Sequence, residues 1–201
     1  MRGLLGGRSA RGYPAASLSV VSVGAIAGLF PGQGSQTSDP KRGPNPTDRA
    51  KPGTKKSLHV EARGGPLGLV CERANLNDHL LLEPTLAAIV IPRPNPKLIP
   101  QHLCLDKAYD NKTGHAACTT GGYIPHIRRI GEEKLDSHGQ KTHPARRWVV
   151  ERTLAWLSKC RAILIRYDKK PQNYEGIIQL ACTLLWTRRL HQLNWSQPVL
   201  G

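Results

Sequence analysis

Asp106 and Glu151 are the two residues whose settings point to chemistry. Asp106 closes the short apolar run HLCLD (102–106), immediately before a turn. In open α/β sheets, ligands gather at the carboxyl ends of strands, where side chains face a crevice. Glu151 lies in ARRWVVERTLAWL, where helical spacing sets Arg147, Glu151, Ala155 and Ser158 on one face. Carboxylate oxygens are the hard ligands that Mg²⁺ prefers. Two such ions about 4 Å apart can activate an attacking oxygen and stabilise a leaving one in phosphodiester cleavage. Taken singly, each residue has a plainer reading. A strand-end Asp caps a turn, and a Glu flanked by Arg147 and Arg152 forms an exposed ion pair.

The charge of the chain favours the joint reading. In 201 residues there are 29 Lys and Arg against 14 Asp and Glu, a net charge of +15. A polyanion is then the first partner to consider, nucleic acid ahead of an acidic membrane surface. Between Arg128 and Arg166, ten basic residues face four acids. Trp148, Trp156, Trp186 and Trp195 can stack on bases, although helical Trp more often fills a core. The five cysteines are scattered, odd in number and never spaced as C-x-x-C, which fits free thiols in a reducing cytosol. No run of eighteen strongly apolar residues calls for a membrane span.

The elements that would position these residues follow from periodicity and punctuation. Residues 41–57 are basic and rich in Pro and Gly. They read as a loop in which Arg49, Lys51, Lys55 and Lys56 could contact phosphates. Residues 58–62 and 66–73 read as strands around a hairpin turn at Arg63-Gly64-Gly65. A helix is expected over 80–91, regular from Pro84, and a Pro-rich loop over 92–100. A strand at 102–106, a helix capped by Asp110 or Asn111 and closed by Gly121-Gly122, and a strand at 123–127 come next. A loop over 131–141 precedes one long helix over 145–165 and a last helix over 174–193. This order indicates an α/β fold, with a mixed sheet flanked by helices. The stretch 15–30 is weakly apolar, with neither helical nor strand period. It could be a targeting peptide, a disordered tail or sequence foreign to the domain.

The runs GPNPTDRAKPGTKKSLHVEARGGPLGL (43–69), ANLNDHLLLEPTL (74–86), HLCLDKAYDN (102–111), GYIPHIRRI (122–130) and HPARRWVVERTLAWLSKCRAILIRYDKKPQNYEGIIQLACTLLW (143–186) resemble the DDE transposases of bacterial insertion sequences. The resemblance covers residues 41–196, leaving 1–40 as a non-homologous tail and 197–201 as a short one. It implies a ribonuclease-H-like fold and a three-carboxylate site for two Mg²⁺ or Mn²⁺ ions. It also implies cleavage and strand transfer of DNA at the terminal inverted repeats of a mobile element. The partners so implied are the element ends and target DNA, with no membrane, in a bacterial cytoplasm and close to the nucleoid; the resemblance admits a homodimer.

Carried over by position, Asp106 in LDKAYD matches the second catalytic Asp, and Glu151 in VVERTLAWL matches the catalytic Glu. Both would be metal ligands. Arg146, Arg147 and Arg152 join the DNA-contacting residues, and Lys159 stands beside Ser158 where the family carries a basic residue. The departure lies upstream. The family sets its first catalytic Asp on the first strand, about fourteen residues before GPNPTDR, near Leu29 here. No acid precedes Asp39 in this sequence. Residues 1–40 are therefore expected to be foreign, through truncation, a frameshift or a false start. The first strand is expected to be missing from the sheet, and Asp39 or Asp48 to be poor substitutes. Three functions compete at this point: a defective transposase, a non-catalytic DNA-binding protein that competes for element ends, and a basic RNA-associated protein.

Overall fold

The computed structural model describes residues 18–29, 39–127 and 146–195, the side chains of 18–29 and 193–195 excepted. Its centre is a seven-stranded mixed sheet. The strands are β1 (Leu18–Leu29), β2 (Gly43–Pro44), β3 (Pro52–Glu61), β4 (Pro66–Arg73), β5 (Gln101–Leu105), β6 (Tyr123–Ile127) and β7 (Ile165–Arg166). The main path runs β2-β3-β1-β5-β6, with β4 paired to β3 and β7 to β1. β3 is antiparallel to both β1 and β4, while β1, β5 and β6 run parallel.

β1 corrects the expectation of an absent strand and a disordered tail, because LSVVSVGAIAGL is paired on both sides. An internal strand of a sheet covered on both faces reads as a continuous apolar run rather than as an alternation. A search for alternation therefore passes over it.

Helices cover both faces. On one side α1 (Leu82–Ala87) and α2 (Lys112–Thr120) meet Leu103 and Leu105 of β5. On the other, α3 (Arg147–Ser158), α4 (Arg161–Leu164) and α5 (Pro171–Trp195) meet Leu58 and Val60 of β3 and Cys71 of β4. The fully buried Leu58, Leu103, Leu157, Ile163 and Ile178 form the centres of these two cores. Each contributes about 2 kcal/mol through the apolar surface it removes from water.

Three boundaries differ from expectation. The first helix is short, a 3-10 turn at Asp78–Leu81 followed by α1, which ends at Ala87. The long helix expected over 145–165 is broken. Cys160 is extended (φ −78°, ψ 114°), so α4 turns back and Ile165–Arg166 pairs with Gly28–Leu29 of β1. β3 starts at Pro52, which places Lys55 and Lys56 on a buried strand and not in a loop.

Arg166 is fully buried, and its guanidinium pairs with the Asp39 carboxylate. It also donates to the Thr54 hydroxyl at 2.7 Å and to the Asp168 carbonyl at 3.1 Å. Asp39 is thereby committed to a structural ion pair. The Cys71 thiol is pushed up to about 12 by burial first, so it stays protonated. All five cysteines are free. No helix among the described residues is long and apolar enough to cross a membrane.

His59 is buried on β3 with its ring edge toward Tyr123, centroids 6.0 Å apart. Neither of its ring nitrogens has a hydrogen-bond partner among the described residues. Burial, with a smaller contribution from Arg93, pushes its pKa down to about 3. In the unfolded chain a histidine titrates near 6.5. Between those values the unfolded state takes up a proton that the folded state refuses, so stability falls as pH falls. The slope is about 1.4 kcal/mol per pH unit. Urea unfolding at pH 7 and pH 5 should show His59→Leu losing about 2 kcal/mol less than the parent chain over that interval.

Candidate functional site

The end of β5 and the start of α3 meet. Asp106 follows Leu105 and caps the 3-10 turn Lys107–Tyr109, accepting from the Lys107 N–H. An extended residue with a short carboxylate is what such a cap requires. Its carboxylate is half-exposed and lies 2.7 Å from a guanidinium nitrogen of Arg147, the first residue of α3. Glu151 stands one helical turn further along the same face and is exposed. The structure thus brings Asp106 and Arg147 together at the carboxyl end of β5, with Glu151 one turn further along α3. Arg147, expected on DNA, holds the strand-end carboxylate.

α3 is fixed in place by the β3–β4 hairpin. Gly64 has φ +88°, and a Cβ there would meet Thr153 Oγ1 at 2.8 Å. Without that Cβ, the Thr153 hydroxyl reaches the Gly64 carbonyl at 2.7 Å. Arg152 donates to the Arg63 carbonyl at 2.6 Å and packs over the Trp148 ring. From α5, Trp186 Nε1 donates to the Pro66 carbonyl at 2.8 Å, and Arg189 pairs with Glu61 at 2.5 Å. The apolar positions Val149, Val150, Leu154 and Leu157 seal the inner face of α3. Glu151 is left outward.

The expected basic residues divide into two groups. Lys56 is buried, with Nζ 3.3 Å from the Ile163 carbonyl, and desolvation lowers its pKa. Lys55 is held by Asp78 at 2.6 Å and by the Leu76 carbonyl at 2.8 Å. Neither faces outward as a phosphate contact, which corrects the loop reading. Arg49, Lys51 and Lys159 are exposed, and Arg146 is partly so. Arg49 and Ala50 have positive φ (47° and 56°) within a turn closed by Asn45 N–H to Lys51 O at 2.8 Å. Two consecutive non-glycine residues in that region store about 1–2 kcal/mol each.

No third acid joins Asp106 and Glu151 among the described residues. Asp39 is bound to Arg166, and Asp48 lies 3.3 Å from Lys51. Asp110 is held by Lys107 and His115, whose hydrogen bonds push its pKa down to about 2. Continuing the β1–β5 register past the Val20–Cys104 pair puts Ser22 level with Asp106. Ser22 lies seven residues before the Leu29 region where the sequence reading expects the family's first catalytic Asp. No group of three or more His, Cys, Asp or Glu side chains that could hold a metal occurs among the described residues. Among the described residues, one carboxylate paired with a guanidinium and one with no further acid beside it do not fit a centre for two divalent cations.

Sequence reading also missed a cleft beside this edge. Pro46, Lys55, Asn75, Asn77, Asp78 and Ala108 line it, the last two residues beyond Asp106. Most of its lining lies in ANLNDH, which the sequence reading takes only as helix-cap residues and as part of the family resemblance.

The transposase DDE domain model matches residues 28–186. The chain is 34% identical over 160 residues to the protein named "Putative transposase for insertion sequence element IS402" from Burkholderia cepacia, covering 78% of this chain and 74% of that one.

Thr153→Val keeps the shape of α3 and leaves the buried Gly64 carbonyl without its donor. It should lower unfolding free energy by about 1–2 kcal/mol, measured by urea denaturation.

Proposed function

Because this chain belongs to the DDE transposase family, we propose that it is an insertion-sequence transposase domain that binds DNA of element ends and is impaired in cleaving and transferring strands. The observation that carries the reading is the Asp106–Arg147 pair at 2.7 Å, one helical turn from Glu151, with no third carboxylate beside it among the described residues. The strand order β4-β3-β1-β5-β6, antiparallel then parallel, supports a ribonuclease-H-like sheet. Asp106 at a strand end and Glu151 on a helix across it support their roles as the second and third family carboxylates.

In an intact family site, two Mg²⁺ or Mn²⁺ ions would neutralise the charge that develops at the attacking and leaving oxygens. Here Arg147 supplies one positive charge to Asp106, and nothing at Ser22 supplies the missing negative one. DNA affinity does not depend on that centre. The net charge of +15 and the exposed Arg49, Lys51 and Lys159 supply it, through release of counterions from phosphates. This reading places the chain on DNA near the nucleoid, as a competitor for element ends.

A strand-transfer assay with element-end duplexes and Mg²⁺ or Mn²⁺ tests it. Product should not exceed that of Glu151→Ala, while gel-shift affinity of the two chains should agree within about twofold. Robust metal-dependent product that Glu151→Ala abolishes would overturn the reading. A complementary gain is expected from Ser22→Asp, which sets a carboxylate level with Asp106. Mn²⁺-dependent nicking should rise at least about tenfold above the parent chain, the scale of a restored general or metal-ligand contact.

A further inference from the structure

We infer that the cleft beside Asp106 receives an unpaired nucleobase of the bound DNA strand; this rests on the DNA-binding reading above. The cleft has a volume of about 420 Å³. That lies within the range of about 300–1,000 Å³ typical of ligand sites. It opens next to Ala108, in the turn that Asp106 caps, so a strand passing the Asp106–Glu151 edge also passes its mouth.

The lining decides which part of a nucleotide fits. Among the described residues lining it the one lysine, Lys55, is already paired with Asp78 at 2.6 Å and bonded to the Leu76 carbonyl. A phosphate would find no uncommitted ammonium among these residues. Asn75 and Asn77 instead offer two planar amides, the groups that pair with the donor and acceptor edge of adenine. Asn75 is seated against Gly43, where any Cβ would lie 2.1 Å from its Oδ1, so that side chain is positioned by the absence of one on β2. Pro46, Ala74, Leu76 and Ala108 give the apolar walls that a base face needs.

The phosphates have their own place. Pro46 belongs to the turn 45–51, which carries the exposed Arg49 in a left-handed conformation. That turn gives Pro46 to the cleft wall and carries Arg49 three residues further on, so on this inference a nucleotide leaves its backbone on Arg49 and inserts its base. Strain at Arg49 and Ala50 is then part of how the turn is aimed.

The test uses the full chain and two single-stranded probes of equal length and charge. One is oligo-dA and the other is an abasic sugar–phosphate chain. Fluorescence anisotropy should give oligo-dA about tenfold tighter binding. Asn77→Ala removes an amide and Ala108→Trp fills the cleft, both at exposed positions that folding tolerates. Each variant should erase most of the margin, leave the affinity for the abasic chain unchanged and keep the parent's unfolding midpoint. Equal affinity for the two probes, or a margin that survives both variants, would overturn the inference. A margin due to stacking on the exposed Trp148 falls in that second class. If neither probe binds at low salt, the DNA-binding reading fails with it. Binding of both probes without a cleft-dependent margin defeats the cleft alone.

Discussion

A carboxylate at a strand end can meet a helix from elsewhere in the chain only if something fixes both. Here the fixing contact is the ion pair between Asp106 and Arg147, at 2.7 Å. As a half-exposed pair it stabilises the fold little, on the order of 0–1 kcal/mol. Its importance is geometric. It ties the end of β5 to the first turn of α3, one helical turn before Glu151. The firmer hold comes from the hairpin tip, where Thr153, Arg152, Trp186 and Arg189 all reach backbone or side-chain oxygens of residues 61–66. The bond of Thr153 to Gly64 exists because that glycine lacks a Cβ.

The same pair sets what the site can do. Arg147 provides a fixed positive charge with no coordination number to satisfy, so it can quiet Asp106 without organising a leaving group. A two-cation centre needs negative charge bridging the ions, because two divalent ions close together repel strongly. With Asp39 bound to buried Arg166 and Ser22 level with Asp106, the described residues supply no such bridge. The high positive charge of the chain is independent of the proposed impairment. Phosphate contacts position DNA without any need for metal.

The parts of the fold written in local chemistry were legible. Gly64 in the hairpin, Asn111 as a cap accepting from Gly114 N–H at 2.9 Å, Gly121-Gly122 as a stop, and Asp106 at the end of HLCLD all lie where punctuation places them. What escaped depends on tertiary context. β1 shows no alternation because helices cover both faces of the sheet, and its pairing partners come from residues 53–61, 102–104 and 165–166. Lys55 and Lys56 carry the signature of a solvated loop, yet β3 extends through them and burial is offset by Asp78 and a carbonyl. The helix over 145–165 breaks at Cys160 because Ile163 enters the core and Ile165–Arg166 joins the sheet. No propensity at Cys160 announces that. The Asn75–Asn77 cleft was invisible for the same reason, since its far wall comes from the turn after Asp106.

Electron paramagnetic resonance of the chain titrated with Mn²⁺ tests the central claim most directly. Two Mn²⁺ ions about 4 Å apart give a spin-coupled spectrum. The account predicts only uncoupled Mn²⁺, with a spectrum unchanged in Asp106→Asn. A coupled signal that Asp106→Asn abolishes would show that Asp106 and Glu151 hold a complete two-ion centre after all, and would contradict it.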